Sequence, residues 1–376
     1  MIYNKKYFSN EFILALFLFQ YSLIIPMLDY IGNSIGVGII SSILVLSLLV
    51  KNINKRINFT PLISWMIILI LILINTIITG TSIDGVLVFI AISIPTAIVS
   101  IYNFKSNDFL NSCYILAYIN FFINCMYPFT AHYSYMRFGY GMLLTSIFIY
   151  IKIRNVKLLN NKIHNRYIDY IVLFISLNEI FLFGARGAIF AFVLLLIIDL
   201  FVYSHEKIKK TPILLIPLTL YFFLNNIVDF FIKQMNDLGY YSYSLYKLHM
   251  QLVYGLNNAS SGRNLLYSKA IAIIEEQPFF GRGIFIGDSD NLYTHNIFLQ
   301  VGEDLGIIAM ILILVFFIYI LYDISIQNNK TDKLIFSALF SLTIGRLMLS
   351  SNLWLRPEFW LFVFIFISKK VHYYTK

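Results

Sequence analysis

Apolar residues run along this chain in long unbroken stretches, and the polar residues collect between them. The stretches are about 17–22 residues long, the length a helix needs to cross about 30 Å of hydrocarbon. Runs such as Ile67–Ile74 and Ala191–Ile198 do not alternate, whereas the strands of a membrane barrel alternate apolar and polar positions. The pattern predicts an all-α polytopic membrane protein with about twelve transmembrane helices. They fall near residues 12–28, 33–50, 62–79, 83–101, 109–127, 138–151, 168–184, 186–203, 212–231, 295–321, 333–350 and 353–367. Only Gly184-Ala185-Arg186-Gly187 separates the seventh from the eighth. The chain divides into residues 1–232 with nine spans, a large loop over 233–294, and residues 295–376 with the last three.

The loop contains short helices. Ser261–Glu276 reads as one of them, capped by Ser260 or Ser261 and ended by Pro278. Arg263, Tyr267, Ala270 and Ile274 then share a face. A loop this long in a compact architecture is functional or disordered, and its aromatic and aliphatic content, including Gly239-Tyr-Tyr-Ser-Tyr-Ser, argues against disorder.

Composition agrees with a membrane protein: 59% of residues are hydrophobic and 12% charged, against about 45–50% and about 25% in soluble domains. A formal charge of +9 would raise nucleic acid as a partner of a soluble protein. Here the positions of the charges explain it instead. Nineteen of the 28 Lys and Arg residues, including Lys5, Lys55, Lys105, Lys152, Arg154, Lys207, Lys330, Lys369 and Lys370, sit in alternate interhelical segments and at both ends. The positive-inside rule therefore expects both termini in the cytoplasm of a multi-pass inner-membrane protein and the large loop on the extracytoplasmic side. Lys5 and Lys6 precede the first apolar run with no small-residue cleavage site after it, so that run reads as an uncleaved helix. Cys113 and Cys125 lie about 18 Å apart along one expected helix, too far for a disulfide.

Candidate chemistry gathers on the extracytoplasmic side. His295 opens the tenth span, where Gly302, Gly306 and Ala309 offer a small-residue face for close packing and Asn296, Gln300 and Glu303 form a polar stripe beside it. A carboxylate inside a membrane helix faces a polar cavity or pairs with a cation. For Glu303 pairing with an arginine is the favoured reading; His295 is either interfacial or functional. Arg263, at the amino end of the loop helix, suits a phosphate, since backbone N–H groups and a guanidinium converge there; a solvated loop arginine is the alternative. Arg186, between glycines at an interhelical turn, runs against the charge bias of its side and either snorkels or meets a ligand. In Gln277-Pro-Phe-Phe-Gly281-Arg282-Gly283 the glycines read as a tight turn, and a structural role for Arg282 outweighs a binding one. Arg346 lies within an apolar span and requires a partner, with Arg356 and Glu358 nearby. No Gly-rich nucleotide loop, His-Glu-x-x-His or Asp-rich metal motif occurs.

The stretch Ser261-Gly-Arg263, Gln277-Pro-Phe-Phe-Gly281-Arg282-Gly283 and Thr294-His295-Asn296 through Glu303-Asp-Leu-Gly306 resembles the O-antigen ligase and polymerase superfamily. Ligases of that family carry His followed by Asn, Ser or Gln, nine residues, Gly, two residues and then Gly, Thr or Tyr. His295, Asn296 and Gly306 fit, and Ala309 departs from the last position. Arg186 matches the family's small-residue–Arg–Gly turn, and Arg263 the arginine that opens its loop helix. The resemblance implies a membrane glycosyltransferase acting on undecaprenyl-pyrophosphate-linked glycans, without metal or cofactor. Its catalytic residues would be His295, Arg263 and Arg186. Arg346, Arg282, Glu303, Asn296 and Tyr267 would serve substrate binding. The Ala309 departure and the Pro-Phe-Phe-Gly-Arg-Gly turn favour a polymerase of O-antigen or capsule repeat units, working beside a flippase and a chain-length regulator. A ligase that moves the glycan to lipid A–core is the near alternative. A transporter or flippase is the distant one, disfavoured because mid-span charges are sparse.

Overall fold

The computed structural model describes residues 9–29, 35–51, 57–102, 104–130, 133–159, 166–202, 226–258, 263–284 and 294–374. These are helical throughout, with no strand among the described residues. The helices are α1 (Asn10–Asp29), α2 (Ile35–Lys51), α3 (Thr60–Thr79), α4 (Asp84–Val99), α5 (Ser106–Cys125), α6 (Tyr135–Leu159), α7 (Arg166–Phe183), α8 (Arg186–Val202), α9 (226–237), α10 (Tyr243–Asn258), α11 (Arg263–Glu276), α12 (Ile297–Leu305), α13 (Ile307–Ile326), α14 (Lys330–Leu347) and α15 (Pro357–Tyr374). Most of the expected ninth span lies outside the described residues, as do Ser260 and Ser261.

Among the described residues, four helical segments are long and apolar enough to cross a membrane: Thr60–Thr79, Ser106–Phe129, Tyr135–Asn155 and Ile307–Ile326; Asn10–Ile24 and Asp84–Val99 are shorter apolar helices. Two of the four turn apolar side chains outward. Ile67, Ile70, Leu71 and Ile77 on α3, and Ile308, Leu312, Val315 and Ile318 on α13, are exposed. In water such faces would be costly, and in lipid they are the ordinary condition of an outer helix. Helix α6 is the opposite case. It packs against α1, α5, α7, α8 and α14, and Phe138, Met142, Ile147 and Phe148 on it are buried.

The charged residues separate to the two ends of this bundle. At one end Lys152 pairs with Asp169 at 2.9 Å, Arg154 with Asp199 at 3.0 Å, Lys369 with Asp332 and Lys370 with Asp323. Each pair ties two different helices together. At the other end, about 25 Å away along α6, lie the start of α6, the α7–α8 turn, the end of α14 and the start of α15.

One helix expected over 295–321 is two in the structure. Gly306 adopts φ 86°, which interrupts the run between α12 and α13. The break leaves backbone groups at two helix ends in need of partners, and the 277–283 turn supplies them. The amides of Arg282 and Gly283 donate to the carbonyls of Glu303 (2.9 Å) and Asp304 (3.0 Å), and the Ile307 amide donates to the Pro278 carbonyl (2.7 Å). The Arg282 guanidinium pairs with the Glu303 carboxylate. Asn75 of α3 donates to the Phe280 carbonyl at 2.6 Å and fastens the turn from the other side. The sequence pattern concealed this because glycines in a membrane helix also read as a packing face.

This junction makes a stability prediction. Gly80 and Gly306 both have positive φ, but a Cβ at Gly80 meets nothing within 4 Å, whereas one at Gly306 sits 2.3 Å from the Phe279 carbonyl oxygen. Gly80→Ala is expected to cost about 1–2 kcal/mol of backbone strain, and Gly306→Ala that strain plus a backbone collision. Thermal unfolding in detergent should therefore show a distinctly larger loss for Gly306→Ala; equal losses would contradict the docked turn.

Candidate functional site

At the end of the bundle opposite the ion pairs, residues from six regions enclose a cavity of about 240 Å³. Its walls include Tyr135 and Met136 from the start of α6, Ala185, Arg186 and Gly187 from the α7–α8 turn, Tyr243, Ser244 and Lys247 from α10, Arg263, His295, and Leu349 and Ser350 after α14.

Small residues bring these walls together. A Cβ on Gly139 of α6 would lie 2.4 Å from the Ala185 amide nitrogen, and one on Gly187 would lie 2.0 Å from the Tyr140 hydroxyl. The α7–α8 turn therefore seats directly on α6, with Arg186 as the first residue of α8. The serines of the tyrosine-rich segment lock α10 onto the same turn: Ser242 donates to the Leu182 carbonyl, and Ser244 to that of Gly184 at 2.6 Å. Tyr243 packs on Tyr135 with ring centroids 5.3 Å apart, and the Lys247 ammonium lies 4.7 Å from the Tyr243 ring centre. Arg263 is the first residue of α11, which is held in place by Ala270, fully buried, and by Ile274 against Gly302 of α12.

His295 has φ 53°, a left-handed conformation that is uncommon for a residue with a side chain. Asn296 follows in extended conformation and caps α12, its side chain accepting from the Phe298 and Leu299 amides at 3.0 and 3.3 Å. The strained residue is thus fixed between a helix cap and the cavity wall, where such strain often marks a functional group.

The electrostatics are one-sided. Arg186, Lys247 and Arg263 line the cavity and, among the described residues, no carboxylate does. Among the described residues neither Arg186 nor Arg263 forms an ion pair. Burial, and after it the Arg263 charge, push the His295 imidazole down to about 4, so it is neutral near pH 7. A donor-rich, acceptor-poor cavity of this kind suits an anion with several oxygen acceptors, such as phosphate or pyrophosphate. No group of three or more His, Cys, Asp or Glu side chains that could hold a metal ion gathers among the described residues.

The other candidates lie elsewhere. Arg282 and Glu303 turn to one another in the docked turn, which is the pairing reading of Glu303. Asn296 serves as a helix cap. Tyr267, half-buried on α11, is not among the residues lining the cavity. Arg346 lines a neighbouring cavity, where its guanidinium donates to Ser351 and Glu358, each at 3.1 Å, and lies 4.6 Å from the Tyr140 ring centre. Sequence reasoning did not single out Lys247, Tyr135, Ser244 or Ser350. Lys247 had a usable signal, being a cation next to the tyrosine-rich segment; Tyr135 and Ser350 had none, because only the packing of α6 and α14 delivers them.

Residues 171–314 match the family model of the O-antigen ligases. The matched stretch runs from within α7 into α13 and holds Arg186, Lys247, Arg263 and His295, all the basic residues of the cavity wall. Tyr135, Met136, Leu349 and Ser350 come from outside it, so helices flanking the matched stretch complete the cavity wall. No curated protein matches the chain.

The His295 environment is directly testable. A histidine NMR titration of the full-length protein in detergent should find its midpoint near 4, and Arg263→Gln should move it upward, since removing a neighbouring positive charge favours protonation. A wild-type midpoint near 6.5 would contradict the crowded arrangement.

Proposed function

We propose that this protein polymerises lipid-pyrophosphate-linked oligosaccharide repeat units into a surface polysaccharide, O-antigen or capsule. The observation that carries the reading is the cavity in which Arg186, Lys247, Arg263 and His295 meet with no carboxylate among the described residues. The O-antigen ligase match over residues 171–314 supports glycosyl transfer of the ligase or polymerase kind.

In this reading the donor's pyrophosphate lies between Arg186 and Arg263, with Lys247 beside it. An acceptor hydroxyl oxygen forms a bond to the anomeric carbon while the bond from that carbon to the phosphate oxygen breaks. The lipid pyrophosphate leaves as an anion, and the guanidinium groups stabilise the charge that builds on it. The hydroxyl proton passes to His295. In the free protein burial, and after it the Arg263 charge, hold down the basicity of that imidazole; a bound pyrophosphate offsets the Arg263 charge and raises it. His295 thus becomes a useful base only once the donor is in place. The activated sugar arrives on its lipid, so neither nucleotide nor metal is required.

The topology follows the charge pattern: about twelve spans, both termini in the cytoplasm of an inner membrane, and the cavity at the opposite, extracytoplasmic end. The segregation of Lys152, Arg154, Lys369 and Lys370 to the far end supports this orientation. The carrier is an undecaprenyl-type lipid, with a flippase and a chain-length regulator as partners. Transfer to lipid A–core remains the second reading, favoured by the description of the family model.

With purified lipid-linked repeats, Arg186→Ala, Arg263→Ala and His295→Ala are each expected to lower turnover by about 10²–10³-fold, the scale of removing one transition-state donor, with activity retained in EDTA. Full activity in Arg263→Ala and His295→Ala together would end the assignment. A deletion strain separates polymerase from ligase: single repeats on the acceptor mark a lost polymerase, and long chains stranded on the carrier a lost ligase.

A further inference from the structure

Beside the cationic cavity lies a second one of about 390 Å³, and Met136 and Ser350 line both. The partition between them is thin. The Tyr140 hydroxyl, on a residue that lines the second cavity, bonds Ser350 and occupies the place a Gly187 side chain would take in the first.

The two cavities differ in chemistry. A phosphate dianion is chiefly an acceptor, and the first cavity offers it basic donors with no competing carboxylate among the described residues. A sugar hydroxyl both donates and accepts, so a sugar site must supply both kinds of group. The second cavity does so. Arg137, Arg346 and Arg356 are donors, Glu358 is an acceptor, and the rings of Tyr21 and Tyr140 add flat apolar surface. Glu358 is only half engaged: Oε1 accepts from Arg346 at 3.1 Å, while Oε2 is buried and accepts no hydrogen bond among the described residues. A buried carboxylate oxygen in that condition gains substantially from an incoming donor.

We infer that the second cavity is a pyranose-binding subsite, which holds the acceptor sugar and presents its hydroxyl through the Met136–Ser350 partition to the donor in the first. The acceptor role rests on the glycosyl-transfer reading; the binding of a sugar does not. Arg346 and Glu358 determine its specificity, and Arg346 is accordingly not part of the pyrophosphate site.

The test uses the full-length protein in a detergent free of sugar and phosphate head groups, probed with methyl pyranosides by saturation-transfer NMR and with inorganic pyrophosphate by phosphorus NMR. The pyranoside signal should fall at least fivefold in Glu358→Gln or in Tyr21→Ala, which leaves the Arg346–Glu358 pair intact, and persist in Arg263→Gln. Pyrophosphate binding should show the reverse, lost in Arg263→Gln and kept in Glu358→Gln. No pyranoside signal in the wild type, a signal that survives both second-cavity substitutions, one lost in Arg263→Gln, or pyrophosphate binding lost in Glu358→Gln would overturn the assignment. Pyrophosphate binding indifferent to Arg263, with the sugar pattern intact, would instead count against the proposed pyrophosphate site and leave the sugar subsite standing.

Discussion

Three positive side chains around one cavity repel one another, and a protein holds them there only by force of packing. Arg186, Lys247 and Arg263 line a cavity to which no carboxylate among the described residues contributes, whereas Lys152, Arg154, Arg282, Arg346, Lys369 and Lys370 each pair with an acid. Partly buried charge of one sign is unfavourable by itself. The rest of the structure can be understood as the framework that sustains it: glycines that seat the α7–α8 turn on α6, serines that clamp α10 to that turn, and a loop turn that bridges a broken helix so that His295 is fixed where it stands.

The two ends of the bundle show the contrast. At the far end Lys152, Arg154, Lys369 and Lys370 each meet an acid from another helix, which fixes the helices relative to one another. At the cavity end Arg186 and Arg263 form no ion pair among the described residues, and the His295 imidazole is pushed down by burial and then by Arg263. An anionic ligand offsets the Arg263 charge for both. In the proposed reaction, that offset couples binding to chemistry.

Much of this was legible in the chain itself. Hydrophobic runs placed most helices within a few residues, because lipid requires continuous apolar length and little else does. Arg186, Arg263 and His295 could be singled out because each breaks a local rule: a cation against the charge bias, a guanidinium at a helix start, a histidine beside a polar stripe. What the chain concealed was three-dimensional. Gly306 reads equally well as packing and as a break, and only the turn at 277–283, over twenty residues earlier, decides it. Asn296 is polar beside a candidate base yet spends its side chain on two backbone amides. Arg346 shares a charge and a bundle end with Arg263, but Glu358 and Tyr140 draw it into the adjoining cavity.

The central claim is that the guanidinium groups of Arg186 and Arg263 gather at this cavity to hold a pyrophosphate. The most direct measurement is a structure of the full-length protein with a lipid pyrophosphate bound. The account predicts phosphate density between the guanidinium groups of Arg186 and Arg263, within reach of His295. Phosphates seated in the cavity of Arg346 and Glu358, or at the far end among Lys152, Arg154, Lys369 and Lys370, would contradict it.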